Sequence, residues 1–429
     1  MNGKRRLLFI SPVIPARKGN GLAMRTGFFV KAYAHRFEID LAIFPIIAAP
    51  EGGTADIQPY VSRLKIFPCP SPDAHFALVA AIVDPAARLL AFQRYGRPSL
   101  ASRVGTLAQR ALEPWVSRRR YDVVHIERLY LAPLAEPWAF LSKARPRMVI
   151  DCDDDDARTY RRLASIERSD DRIHAAAWAE AEATAFSLMA QRLLPRFDLA
   201  FAASDVDARS LSSNRAKVAV VPNVLPPAAV AAVGPRRRWN KRKTVLFVAT
   251  MGYKPNDVAA RWLITRIWPR LRRAVRGPMQ LVIVGSNPSP SLMRLGRRRD
   301  LLVTGTVKET TPFYHRADLA VIPVRAGGGT RIKLLEAAAH GVAIVSTTLG
   351  AEGTTFRHGQ ELLLADTEER FIRACADLLK HPERAIKIAS RARVKAFRDY
   401  NADRWSRRVG DLVTCGLAES KGQVRCRKF

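Results

Sequence analysis

Short apolar runs recur along the whole chain, each separated from the next by a stretch with helical spacing. In the first half they read RLLFIS (6–11), EIDLAIF (38–44), DVVHIE (122–127), RMVIDC (147–152), LAFAAS (199–204) and VAVVPN (218–223). In the second half they read TVLFVAT (244–250), MQLVIVG (279–285), LLVTGTV (301–307), LAVIPV (319–324), VAIVST (342–347) and ELLLAD (361–366). Between them lie helical patterns such as NDVAARWLITRIWPRLRRAV and TRIKLLEAAAHG, and residues 165–194 read as a further helix with Ala, Leu and Phe toward the core. Buried strands alternating with helices predict an α/β chain built from parallel sheets, each half a doubly wound, Rossmann-like unit.

A chain of 429 residues is too long for one core, and the natural boundary is the proline- and cation-rich stretch 222–243, which has no clear period. We place domains at 1–235 and 236–380, followed by a helical tract over 381–429. Two such sheets facing each other would form a central cleft lined by the carboxyl ends of their strands, where ligands bind in this architecture.

Charge changes the picture next. The chain has 71 Lys and Arg against 39 Asp and Glu, a net +32. That surplus favours an anionic partner, namely nucleic acid, an anionic membrane surface or a phosphorylated ligand; a solvated basic surface is the plain alternative. The clusters at 118–120, 236–243 and 297–299 lack the interleaved aromatic and glycine residues of RNA- and single-strand-binding surfaces, so no specific nucleic acid is expected. The five cysteines are scattered and form no CxxC pair, which argues against a disulfide framework or structural zinc and fits a reducing cytoplasm. The apolar start is broken by Pro12 and Pro15 and reads as a first strand, not a signal peptide. No run is long enough to span a bilayer; the nearest, 76–92, is interrupted by Asp84 and Pro85. Contact with a membrane would therefore be peripheral, at its inner face.

The chemistry concentrates in RAGGGTRIKLLEAAAHG (325–341), a loop of glycines running into a helix. Thr330 is the expected N-cap, which puts Arg331 and Lys333 in a first turn where cations oppose the helix dipole. A bound diphosphate would turn that cost into a benefit, held by both side chains and by the amides of Gly328, Gly329 and Thr330. Glu336, on the same face, suits ribose hydroxyls; a surface Lys–Glu pair is the bland reading. In the first half, Gly19 and Gly21 bracket a turn that would bring amides toward a phosphate, or merely a flexible turn, with Met24 and Arg25 just beyond. The tract DCDDDDAR (151–158) suggests either divalent-metal ligands or carboxylates paired with Arg158, Arg161 and Arg162. His125 ends a strand, where it would line the cleft or sit satisfied in the core.

The second half resembles the donor domain of retaining glycosyltransferases of family four, which have the GT-B fold. The matching stretches are VATMGYKPNDVAARWLITRIWPRL, LVIVGSNPSP, VTGTVKETTPFYHRADLAVIPV, GGGTRIKLLEAAAHGVAIVSTTLGAEG and HGQELLLAD, in the family's order. SPVIPARKGNGLAMRTGFFVKAYA, YDVVHIERLYLAPLA and VIDCDDDDARTYRRL resemble the first domain more loosely. The resemblance implies that Glu336 is the ribose-binding second glutamate of the family's paired-glutamate motif, while Gly328 stands where the first glutamate would contact the sugar. The family's diphosphate-clamping Arg and Lys fall at Met251 and near Asn256, so Arg331 and Lys333 would supply that charge, helped by Lys254 and Gly252. Thr306 and Val307 would face the base, and Asp153 takes the place near the sugar of the family's His-Asp pair. The helical tract 381–429 would pack back on the first domain.

The implied activity is transfer of a sugar, with retained configuration, from a nucleoside-diphosphate donor to a hydroxyl of a polysaccharide or lipid-linked acceptor. Asp153, Arg331 and Lys333 would be the catalytic residues. The resemblance implies no metal or other cofactor, and hinge closure would exclude water. The competing readings are a nucleic-acid-binding protein, motivated by the charge, and a catalytically weak scaffold of the same fold, motivated by Gly328 and Asp153.

Overall fold

The computed structural model describes residues 4–17, 19–46, 53–139, 145–225, 242–327 and 332–419. The chain divides into two compact units, Met1–Pro222 with Ala402–Phe429, and Asn223–Asn401.

The first unit holds a parallel seven-stranded sheet of β1 (Arg5–Ser11), β2 (Phe37–Ile43), β3 (Arg63–Ile66), β4 (Val123–Glu127), β5 (Arg147–Asp153), β6 (Leu199–Ala202) and β7 (Val218–Val220). Its order is β3-β2-β1-β4-β5-β6-β7. Along β1, Leu8 and Ile10 join one core and Leu7 and Phe9 the other, on opposite faces of the pleat. Two buried faces are why such strands read as unbroken apolar runs. β3 has no such run: it is a short edge strand, RLKI, exposed in part, and the sequence pattern does not reveal it. Helices α1 (Gly21–Ala34), α2 (Asp156–Ser169), α3 (Ile173–Leu193) and α4 (Asp205–Ser212) flank this sheet. The helix expected across 165–194 is interrupted, because Asp171 adopts φ 57° between α2 and α3.

The second unit has a parallel six-stranded sheet of β8 (Lys243–Val248), β9 (Met279–Val284), β10 (Leu301–Val303), β11 (Leu319–Ile322), β12 (Ala343–Ser346) and β13 (Leu363–Leu364). The order is β10-β9-β8-β11-β12-β13. Helix α5 (Lys254–Trp262) continues through a π-turn at Leu263–Ile267 into Trp268–Ala274; α6 (Ile332–Ala339), α7 (Glu368–Lys380) and α8 (Pro382–Asp399) follow. At the end of β9, Gly285 has φ 158°, and a Cβ there would lie 1.6 Å from the Ala249 carbonyl oxygen, so only glycine lets the loops after β8 and β9 run side by side.

Two expected boundaries shift. The units divide at Pro222/Asn223, not at 235/236, and residues 226–241 lie outside the described ones. The tract 381–429 is not one element. α8 buries Ala385, Ile388, Ala389, Ala392 and Ala396 in the second unit's core. Only α9 (Ala402–Glu419) belongs to the first unit, where Val409 and Val413 join the core and Arg36 donates to Thr414 Oγ1 at 2.9 Å. The break at Tyr400–Asn401 separates two amphipathic helices whose apolar faces serve different sheets. Cys69, Cys152 and Cys375 are free thiols, whereas Cys415 is disulfide-bonded, which the scattered cysteines did not suggest.

In both sheets the strand order reverses, between β1 and β4 in the first and between β8 and β11 in the second. Crevices outside the carboxyl ends of those strands are where doubly wound sheets hold ligands.

Candidate functional site

In the second unit the crevice is framed by the loops after β8 and β11. Gly328, Gly329, Thr330 and Arg331 lie outside the described residues, and α6 begins at Ile332. Lys333, in the first turn of α6, reaches across to α5: its Nζ donates to Asn256 Oδ1 at 2.6 Å. Asn256 is buried and is itself fixed, donating from Nδ2 to the Thr250 carbonyl at 2.8 Å. Nζ also lies 5.8 Å from the Phe247 ring centroid, over an aromatic face that favours a cation. Lys333 thus stands at the strand ends of β8 and β11, with Asn256 as one of its partners.

Met251, where the family's clamping arginine would stand, is only 1% exposed and belongs to the core. The amides of Met251 and Gly252 both donate to the Ser286 carbonyl, at 2.8 and 3.3 Å. Lys254 is exposed at the start of α5; Thr306 is exposed in the loop after β10, and Val307 packs against the core.

One turn beyond Lys333, Glu336 accepts a 3.1 Å hydrogen bond from the Tyr314 hydroxyl. Tyr314 comes from the helix Thr311–Arg316 and is buried, its ring stacked on His340 at 4.8 Å. Burial pushes the Glu336 carboxyl up to about 7, although the Tyr314 hydroxyl and Lys333 both favour its ionised form. Burial likewise pushes His340 down to about 4, so the stacked ring is neutral.

The first unit gathers a second constellation at the ends of β4 and β5. Arg25, near the start of α1, is buried and donates in a fork to Asp151, with Nη2 2.7 Å from Oδ1, and through Nη1 to the Val221 carbonyl at 2.9 Å. Burial alone would raise Asp151; the Arg25 fork reverses that and holds it below the ordinary carboxylate value. Glu127, at the end of β4, is fully buried beside Asp151, and burial and that neighbouring charge push its carboxyl well above the usual range.

Asp153 sits at a register shift between β5 and β6 with φ 60°. That local kink turns its carboxylate between Arg25, 3.5 Å away, and Arg128, 3.4 Å away. Burial pushes it to about 6 against the pull of both guanidinium groups. Arg128 also donates to Asp154 and Asp156, each at 2.7 Å, and Asp155 caps α2. Of the arginines expected from sequence, Arg158 bridges to Asp207 at 3.3 Å and Arg161 donates to Ser187, and Arg25 and Arg128 are further partners of the tract that sequence reasoning did not name. Among the described residues, no three His, Cys, Asp or Glu side chains are grouped to hold a metal ion.

His125 does not line a crevice. It is fully buried, stacked on Phe9 at 4.5 Å and bonded through Nδ1 to the Tyr33 hydroxyl at 3.0 Å, and burial pushes it down to about 3. Gly19 has φ 116° in the loop before α1, Asn20 caps that helix by accepting from the Ala23 amide, and Gly21 is its first residue. Arg128, Glu127 and Tyr314 are missed by sequence reasoning. Arg128 left one signal, a cation directly after a buried strand end; Tyr314, 22 residues from Glu336, left none.

Residues 242–381 match the family model described as glycosyl transferases group 1. A GDP-mannose-dependent alpha-(1-6)-phosphatidylinositol monomannoside mannosyltransferase of Mycobacterium tuberculosis is 28% identical over 202 residues, 44% of this chain and 51% of that protein. The chain thus matches about half the length of that relative. Among solved structures, sucrose-phosphate synthase of Thermosynechococcus elongatus superposes with a TM-score of 0.65 at 13% identity, covering 97% of this chain and all of that one (100%). HepE of Anabaena, in complex with UDP-glucose, gives 0.60 at 13% identity over 95% of this chain and 99% of that one.

Proposed function

We propose that this chain, which has the two-unit GT-B fold and whose residues 242–381 match the group 1 glycosyl transferase model, is a nucleotide-sugar-dependent, retaining glycosyltransferase. The observation that carries this reading is the pairing of Lys333 with Asn256 one helical turn from Glu336 and Tyr314, at the strand ends where such sheets hold nucleotides. Lys333, with Arg331 beside it in sequence, neutralises the diphosphate as its bond to the anomeric carbon breaks. Glu336, once ionised, accepts hydrogen bonds from the ribose hydroxyls, and Tyr314 fixes its orientation. Asp153, held between Arg25 and Arg128, is the candidate catalytic carboxylate of the first unit.

The acceptor in this reading is a polysaccharide or lipid-linked hydroxyl, in keeping with the lipid acceptor named for the mycobacterial relative. The enzyme would work without a metal, in the cytoplasm. Release of nucleoside diphosphate from UDP-, GDP- and ADP-sugars, followed by NMR of the product's anomeric configuration, tests the proposal. Inverted configuration removes the retaining mechanism, and no release from any donor removes the activity.

A second reading has one specific observation in its favour: Met251 is buried where the family's clamp would stand. It holds that the chain binds donors without turning them over, and it predicts donor binding with no nucleoside diphosphate released.

A further inference from the structure

A short apolar hairpin in the first unit turns most of its surface outward. Helices Ala74–Ala81 and Pro85–Tyr95 are joined by residues 82–84, and their inner side packs Val79, Phe92 and Tyr95 against Ala181 and Trp178 of α3. After His75 the first helix has no polar side chain, yet Val79 is its only buried residue. Leu78 is 70% exposed, Val83 at the turn 90% and Leu90 51%. An all-apolar helix normally belongs inside a core; contiguous exposed apolar surface marks something that covers it.

Charge identifies what covers it. Around the hairpin stand five arginines (Arg88, Arg94, Arg97, Arg103 and Arg110), of which Arg97 pairs with Asp73 at 3.3 Å and Arg103 donates to the Pro70 carbonyl at 2.8 Å, so cations outnumber the acids Asp73 and Asp84 across residues 73–112. Asp84, the acid at the tip, caps the second helix by accepting from the Ala87 amide. An apolar tip rimmed by cations matches a surface with apolar depth and an anionic face. A second copy of this chain would bring the same arginines, and the same +32, against each other. Nucleic acid has no use for the apolar tip. Among the described residues no helix is long and apolar enough to cross a membrane, so this contact would lie at the membrane surface.

We propose that the 74–95 hairpin is a membrane-docking surface, in which Leu78, Val83 and Leu90 enter the headgroup–acyl boundary of an anionic bilayer while the flanking arginines meet lipid phosphates. The proposal is independent of donor chemistry: a chain with no transferase activity would still dock.

Flotation of the full chain with vesicles of phosphatidylcholine alone, or of phosphatidylcholine with phosphatidylglycerol, tests it. The wild type should float with the anionic vesicles, less so as salt rises. Leu78→Glu/Val83→Glu should lower partitioning at least about tenfold at an unchanged melting temperature, since both side chains are solvated in the free protein. A Val83→Trp variant should show a blue-shifted emission on anionic vesicles alone. Unchanged flotation of the double variant would move the contact elsewhere on the basic surface and overturn the proposal. A wild-type dimer in light scattering that the double variant abolishes would reassign the hairpin to self-association, and no flotation at low salt would also overturn it.

Discussion

Lys333 Nζ donates to Asn256 Oδ1 at 2.6 Å, a contact between the helix after β11 and the helix after β8. This partner is neutral, so the contact orients the Lys333 ammonium without itself opposing its charge. An acidic residue at position 256 would compete with a diphosphate; an asparagine does not.

Asn256→Ala should therefore raise the KM for the nucleotide sugar about tenfold with a smaller change in kcat, because Lys333 loses its orientation and keeps its charge. Lys333→Ala should lower kcat/KM by roughly a hundredfold or more, since the developing charge on the diphosphate loses a partner. Steady-state kinetics check both, and an unchanged donor KM in Asn256→Ala would show that the contact serves only the fold.

Glu336 sets a pH dependence. Its carboxyl titrates near 7, raised from 4.5 chiefly by burial. Donor affinity should rise with pH through that value as the ionised form becomes available for ribose hydroxyls. Tyr314→Phe removes a hydrogen bond that favours ionisation, so the acid limb should move to higher pH. Stability runs the other way. Between 4.5 and about 7 the folded chain binds more protons than the unfolded one, so stability falls as pH rises across that window. Glu336→Gln should remove this slope and gain about 1–2 kcal/mol at pH 8, a figure below the full shift because the residue is only partly buried.

The Arg25–Asp151 fork is a structural claim. Both side chains are buried, and Arg25→Met would leave Asp151 without its cation. The expected loss is about 3–5 kcal/mol, measured by denaturant unfolding. Asp151 is held below its ordinary value, so its contribution is present above that value and lost as pH falls through the lowered one. The deficit of Arg25→Met should accordingly shrink in acid.

Much of the sheet architecture is legible in the apolar runs, because strands buried on both faces cannot hide polar residues. LLFI in β1 is visible for that reason, and RLKI in β3, on an edge with half its positions in solvent, is not. The candidate donor site is legible where chemistry conflicts with local stability: Lys333 stands where a helix dipole disfavours it. Its partner Asn256 and the Tyr314 behind Glu336 are not legible, because those contacts join residues 77 and 22 positions apart that only the fold brings together. The same applies to Arg128, whose fork spans Asp154 and Asp156 from a position 26 and 28 residues before them. The helical period over 382–419 is clear, but which sheet each helix covers depends on the break at Asn401.

Substitution of Asp153 tests chemistry apart from donor binding. Asp153→Asn keeps size and shape but removes the charge placed between Arg25 and Arg128. We expect kcat to fall on the order of a hundredfold with a smaller change in the donor dissociation constant, because the proposed diphosphate and ribose contacts of Lys333 and Glu336 lie in the second unit. The acid limb of kcat should reflect the carboxyl near 6 and vanish in the variant.

The central claim is that the strand ends of β8 and β11 bind a nucleoside-diphosphate sugar through Lys333 and Glu336. Titration calorimetry of the full chain against UDP-, GDP- and ADP-sugars tests it most directly, with wild type, Lys333→Ala and Glu336→Ala side by side. The wild type should bind at least one donor saturably, with affinity weakened at least about tenfold in each variant. No binding of any donor, or equal affinity in all three proteins, would contradict it.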